Sequence, residues 1–142
     1  MTIIESVKNF IATCPYLDEL AAVNVDFLPN DPESYSIEEV PIDPIITNYV
    51  DGSSTRQFVF VFASRLFYSD ELRNNIDNCG FFEDFQNWLE ECTENDILPE
   101  MAEGCIPFSI RALSSGYLFD IAGNMQNARY QIQCQLIYDK EK

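Results

Sequence analysis

Apolar residues near the amino terminus recur at helical spacing. Ile4, Val7, Ile11 and Cys14 line one face, with Ile3 and Phe10 beside them. Thr2 and Glu5 stand at the start of this stretch with the spacing of a capping box, in which a hydroxyl oxygen and a carboxylate each accept a backbone N–H. Pro15, whose ring and missing N–H disfavour a helix interior, is expected to end it. The period then changes. Leu20 to Phe27 alternates as a strand, and Pro29-Asn30-Asp31-Pro32 behind it is turn chemistry. Tyr35, Ile37 and Val40 predict a short strand, placed at an edge because Pro41 and Pro44 would interrupt a ladder.

Ile45 to Val50, then Asp51-Gly52, then Gln57 to Phe67 read as a β-hairpin, with Gly52 able to take the positive φ of a tight turn. Phe58, Phe60 and Phe62 fall on one face of its second strand and Val59, Val61 and Ala63 on the other. Both faces are therefore expected to be buried and the strand to be central. Helical spacing returns with Phe81 or Phe82, Phe85, Trp88, Leu89 and Cys92, while Glu83, Asp84, Gln86, Asn87, Glu90 and Glu91 fill the remaining positions. This aromatic stripe should lie across the sheet. Asp70 to Asn78 reads as a separate short helix or an approach to the main one, with Gly80 weakening the junction. Three strands follow, around Cys105–Leu113, Tyr117–Ile121 and Ala128–Tyr138. The last sets Tyr130, Ile132, Cys134, Leu136 and Tyr138 against Arg129, Gln131, Gln133 and Gln135. The pattern predicts one α+β domain over residues 1–142. A mainly antiparallel sheet carries the amino-terminal helix and the longer aromatic-faced helix, and a frayed tail covers about 139–142.

Composition narrows the chemistry. The 142 residues hold 24 acidic and 8 basic side chains and no histidine, a formal charge of −16, with 46% apolar residues, enough for a core. Without histidine there is no Ser-His-Asp triad, no Cys-His pair and no imidazole metal ligand. Met1-Thr2-Ile3-Ile4-Glu5 carries a carboxylate where a secretory signal carries positive charge. The longest apolar run, Phe58 to Ala63, falls far short of the ~20 residues that span a bilayer, so a soluble chain without a membrane partner is expected. Cysteines at 14, 79, 92, 105 and 134 form an odd set without close pairs, which suits free thiols in a reducing compartment.

No residue set stands out as catalytic. Ser53 and Ser54 sit beside a hairpin glycine as turn residues, and Lys8 falls on the solvent side of the first helix. Cys79, Cys92 and Cys105 are evenly spaced but lack the close pairs of structural zinc sites, and the carboxylates of the aromatic helix fit no EF-hand loop. No catalytic residue, metal site or cofactor is expected. Charge distribution says more. No basic residue occurs between Lys8 and Arg56 or between Arg73 and Arg111, and each gap holds nine carboxylates. Such surfaces keep a protein soluble, repel phosphate, attract basic partners, or line a passage through which nucleic acid slides without sticking. The row Gln131, Gln133 and Gln135 is a candidate subunit contact or lumen surface, or simply faces water.

The chain resembles a known family in the order of its elements. These are the capped first helix, the hairpin Tyr49-Val50-Asp51-Gly52-Ser53-Ser54-Thr55-Arg56-Gln57 running into Phe58-Val59-Phe60-Val61-Phe62, the helix with Phe85-Gln86-Asn87-Trp88-Leu89, and the closing strand Tyr130 to Tyr138. In this order it is similar to the small tail-terminator or minor capsid (head-tail joining) proteins of phages and prophages infecting Firmicutes. The resemblance covers most of the chain and rests on structural, hydrophobic motifs. It implies a non-enzymatic structural protein forming a homo-oligomeric ring, commonly hexameric, that ends tail-tube growth and joins the tail to the head connector. DNA would pass through without specific binding. The protein would reside in the bacterial cytoplasm during assembly and at the head-tail junction of the virion when the phage is active. The Asp51-Gly52 tip with Arg56, and the row Gln131, Gln133 and Gln135, are the expected interface residues. The alternative is an acidic DNA-mimic inhibitor that occupies a basic nucleic-acid-binding protein. An enzyme working through carboxylates, thiols or lysine alone comes third.

Overall fold

In the computed structural model, which describes residues 1–17, 23–29, 34–67, 72–121 and 127–142, the capping spacing of Thr2 and Glu5 starts a helix as expected. The Thr2 hydroxyl accepts the Glu5 N–H at 3.2 Å, and α1 spans Ile3–Ile11, burying Ser6, Val7, Phe10 and Ile11. It ends ahead of Pro15, where the Thr13 N–H and hydroxyl both donate to the Phe10 carbonyl.

Among the described residues seven strands make one sheet: β1 (Val23–Val25), β2 (Ser34–Glu39), β3 (Ile45–Asn48), β4 (Ser54–Phe67), β5 (Cys105–Ala112), β6 (Tyr117–Ile121) and β7 (Asn127–Lys140). Two long strands form its middle. β4 and β7 are antiparallel and paired without a break from Ser54↔Lys140 to Phe67↔Asn127. β2 and β3 lie end to end along the outer side of β4, and β5 and β6 lie end to end along the outer side of β7. β1 sits outside β2 as the one parallel pair. Each half of the chain thus gives a helix, an interrupted outer strand and a long inner strand.

The longer helix, α2, runs Leu72–Glu94 and packs beneath the sheet with α1. Phe82, Phe85, Leu89 and Cys92 are buried as the stripe predicts. Phe85 stacks on Phe62 of β4 with ring centroids 4.5 Å apart, and Trp88, half-buried, stacks on Phe10 of α1 at 5.1 Å. The helix closes on Asp96, which takes a left-handed φ of 60° while the Ile97 N–H reaches back to the Cys92 carbonyl at 2.8 Å. The core joins the helices to one face of the sheet, through Phe58, Phe60 and Phe62 of β4 and Tyr130, Ile132, Cys134, Leu136 and Tyr138 of β7. The fold is α+β with a mostly antiparallel sheet, as the sequence pattern predicts.

Several boundaries differ from the sequence expectation. β2 is no edge strand: it lies between β1 and β4, because Pro41 and Pro44 fall in its connection to β3 and leave its ladder intact. Gly80 does not divide the helix; α2 is continuous through it, since burial of the aromatic side chains that follow outweighs a glycine cost of about 1 kcal/mol. Asp139 and Lys140, expected to fray, pair with both β4 and β5, and the Glu141 N–H donates to the Gly104 carbonyl at 2.8 Å. The strand foreseen over Leu20–Phe27 is seen as Val23–Val25. Its first residues, the turn residues Asn30-Asp31-Pro32 and the helix approach at Asp70 and Glu71 lie outside the described residues. No helix among the described residues is long and apolar enough to cross a membrane.

Candidate functional site

A strand puts successive side chains on opposite faces, so the register defines the sheet's second face as firmly as its core. On β4 this face carries Thr55, Gln57, Val59, Val61, Ala63 and Arg65. On β7 it carries Arg129, Gln131, Gln133, Gln135, Ile137 and Asp139. Among the described residues no helix packs on it. Val59, Val61 and Ala63 are nevertheless buried, as expected of a central strand, because long polar side chains from neighbouring strands fold over them.

Those polar chains form two hydrogen-bonded groups. In the first, Arg129 forms an ion pair with Glu38 of β2 at 2.9 Å and donates through Nε to the Gln131 side-chain oxygen at 3.1 Å. The Gln131 amide then donates to the Tyr117 hydroxyl at 2.6 Å. The Arg129 guanidinium also lies 5.1 Å from the centre of the Phe119 ring. In the second group, Arg111 Nε donates to Gln135, whose amide donates to Gln57, and Gln57 in turn donates to the Asp43 carbonyl. Gln133 lies between the groups, its backbone N–H donating to the Ser114 hydroxyl. Such connected polar side chains hold one another in place and present a fixed pattern of donors and acceptors. Arg65 is held apart from these groups, donating to the Pro29 carbonyl and to Asn127.

The face is close to charge-balanced. Arg65, Arg111 and Arg129 stand against Glu38, Asp120 and Asp139. The helix side is different: Asp77, Glu83, Asp84, Glu90, Glu91 and Glu94 of α2 are all exposed, and no basic residue occurs from residue 74 to residue 110.

The interface residues singled out in the sequence occupy two separate places. Gln131, Gln133 and Gln135 line the open face, whereas Arg56 lies on the helix side, level with Ile45 and Tyr138, its Nε donating to the Ser54 hydroxyl at 3.0 Å. Asp51 and Gly52 form the β3–β4 tip. The Tyr49 N–H donates to the Ser53 carbonyl, Asp51 Oδ1 accepts both the hydroxyl and the N–H of Ser53, and Gly52 takes φ +93° against the Lys142 side chain. The Ser53 hydrogen bonds hold the Asp51 carboxyl below the ordinary aspartate range. Sequence reasoning placed Arg129 in the alternating row but did not single it out with the glutamines, and it missed Gln57, Arg111 and Tyr117 as their partners. Their signal was present in strand parity: Arg129 and Gln57 alternate in phase with that row, while Arg56 alternates in phase with Phe58.

Cys14, Cys92 and Cys134 are buried, Cys105 half-buried and Cys79 exposed, all as free thiols. Burial pushes the Cys14 thiol up to about 11 and Cys134 further still, opposite to the shift that activates a thiol. Among the described residues no three cysteine, aspartate or glutamate side chains gather as a metal site would need. Compared with known proteins, the chain matches no family model and no curated sequence.

Proposed function

We propose that the protein is a non-enzymatic structural subunit of the tail-terminator kind, assembling into a ring that ends growth of a phage tail tube and joins it to the head connector. The observation that carries this is the division of charge across the sheet. The exposed side of α2 carries six carboxylates, Asp77, Glu83, Asp84, Glu90, Glu91 and Glu94, a surface that repels DNA phosphate over a Debye length of about 8 to 10 Å. The opposite face is balanced and armed with fixed amides and guanidinium groups, so another protein of the tail or connector can approach there without strong repulsion. DNA passes such a ring without adhering, and contacts between proteins are made elsewhere. Assembly would proceed in the bacterial cytoplasm, with the finished ring at the head-tail junction.

The test is the absolute mass of the purified protein by light scattering, alone and mixed with a tail-tube protein, at two salt concentrations. A ring-sized species in either sample is the expected result. A monomer or dimer indifferent to tail tube, binding a basic nucleic-acid-binding protein with steep salt dependence, would replace this function with the other one the carboxylates of α2 favour, a DNA-mimic inhibitor.

A further inference from the structure

Large apolar side chains on the surface are not scattered evenly. Of the sixteen exposed ones among the described residues, six lie along the β5–β6 border of the sheet and six along the opposite border, formed by β1, β3 and their connections. Contiguous exposed apolar surface of this sort marks a contact site.

The two borders are matched level by level. One transverse row of the sheet runs Ile45, Arg56, Tyr138, Pro107 from β3 to β5, and a second runs Val23, Tyr35, Ser64, Tyr130, Leu118 from β1 to β6. Next to the first row Ile46 is exposed on one side, with Tyr49 and Val50 in the turn beyond it, and Ile106 and Phe108 are exposed on the other. Near the second row Phe27, whose N–H donates to the Ser36 hydroxyl beside Tyr35, is exposed on one side, and Leu118 and Phe119 on the other. Phe108 and Phe119 each fall where the register slips, at bulges that turn a side chain out of the sheet.

We infer that the occupant of each border is a second copy of this chain, the β5–β6 border of one copy packing on the β1/β3 border of the next. This inference rests on the ring function proposed above and names its seam. Charge selects the unlike pairing. The β1/β3 side has no cation between Lys8 and Arg56 and carries Asp26, Asp43 and Asp51, so two such sides repel. The β5–β6 side is charge-balanced instead, with Arg111 of β5 and Asp120 of β6, and with Arg129, already paired to Glu38, over Phe119, so it meets the acidic side with less repulsion than a second acidic side would. A contact between unlike borders is heterologous and propagates from copy to copy. Such a contact closes into a ring where the rotation from copy to copy completes a circle.

The seam is made by side chains and does not extend the β-ladder. Both outward backbone groups of Ile110 are already taken by Thr93 of α2, and the two bulges break the remaining edge.

The experiment compares masses by light scattering for the unaltered chain, a Phe108→Glu/Phe119→Glu variant, an Ile46→Asp/Val50→Asp variant, and an equimolar mixture of the two. All are measured under the condition in which the unaltered chain is largest, with tail-tube protein added to every sample if it is needed. Circular dichroism checks folding, and alanine versions of the same pairs replace any variant that does not fold. Each variant should fall to the 16.3 kDa monomer, and the mixture should give one heterodimer at twice that mass, because each partner keeps one intact border. Variants that assemble like the unaltered chain would overturn the seam while leaving the ring standing. So would a mixture that yields no heterodimer, the result expected if β5–β6 borders paired with each other. An unaltered chain that stays monomeric with and without tail tube would overturn ring and seam together.

Discussion

Thr93 joins helix to sheet through a single hydroxyl, and its replacement is the sharpest test of how α2 is held. Oγ1 donates to the Ile110 carbonyl at 2.6 Å and accepts the Ile110 N–H at 3.1 Å, occupying both backbone groups that point away from β7. Ile110 is fully buried, so water reaches these groups poorly. Thr93→Val keeps the shape and removes the hydroxyl, stranding one donor and one acceptor, each at a cost of about 1–3 kcal/mol. Partial access for water and the easier burial of a methyl offset part of this, leaving about 2–4 kcal/mol. With a urea slope of about 2 kcal/mol per M, the midpoint should fall by about 1–2 M. Thr93→Ser keeps both hydrogen bonds and should lose only about 0.8 kcal/mol with the missing methyl. Hydrogen exchange at the Ile110 amide should accelerate in the valine variant and change little in the serine one. A valine variant within about 0.5 kcal/mol of the unaltered protein would refute the reasoning, since that is the range of an ordinary surface change.

Other expectations can be checked on the same instruments. Phe85→Ala empties the space beneath Phe62 and should cost about 3–5 kcal/mol in urea unfolding. Gly80 has open space where a Cβ would stand, so Gly80→Ala should stabilise α2 by about 0.5–1 kcal/mol. Gly116→Ala should do the reverse by about 1–3 kcal/mol, because its Cβ would come within 2.4 Å of the buried Phe82 side chain. The Cys14 thiol, raised from 9.0 to about 11, keeps its proton in the fold after the unfolded chain has begun to lose it. Its contribution is therefore complete below about pH 9 and is lost as pH rises toward 11, an alkaline loss that Cys14→Ala should reduce. A thiol reagent should label exposed Cys79 first and reach Cys134 only on unfolding.

The parts of this fold legible in the sequence are those set by short-range periodicity. Alternation from Tyr130 to Tyr138, the three phenylalanines of β4 and the stripe from Phe82 to Cys92 each repeat within a few residues, and each appears in the core. What escaped depends on partners far along the chain. Nothing near Tyr35 shows that a parallel neighbour covers β2, and nothing near Ser114 shows that the turn after β5 lets β6 continue along β7 instead of doubling back. Gly80 was misleading because intrinsic propensity is a small term beside tertiary burial. At the candidate site the glutamine row was visible as a pattern. Its arginine partners come from β5 and from its own strand's first residues, and their pairing requires the register.

The position of β7 in chain order has a consequence for how the protein is made. Among the described strands it is the last to leave the ribosome, yet it is the one that joins β4 to β5 and β6, and its pairs with β4 lie 60 to 86 positions apart, as for Phe67 with Asn127 and Ser54 with Lys140. Contacts of such long sequence separation form slowly, because the loop must close before pairing rewards it. While translation of β7 is pending, β4 presents a bare edge of alternating phenylalanine and valine to every neighbouring nascent chain. Polysomes, which hold many such chains close together, are therefore the place where this protein is most exposed to mispairing.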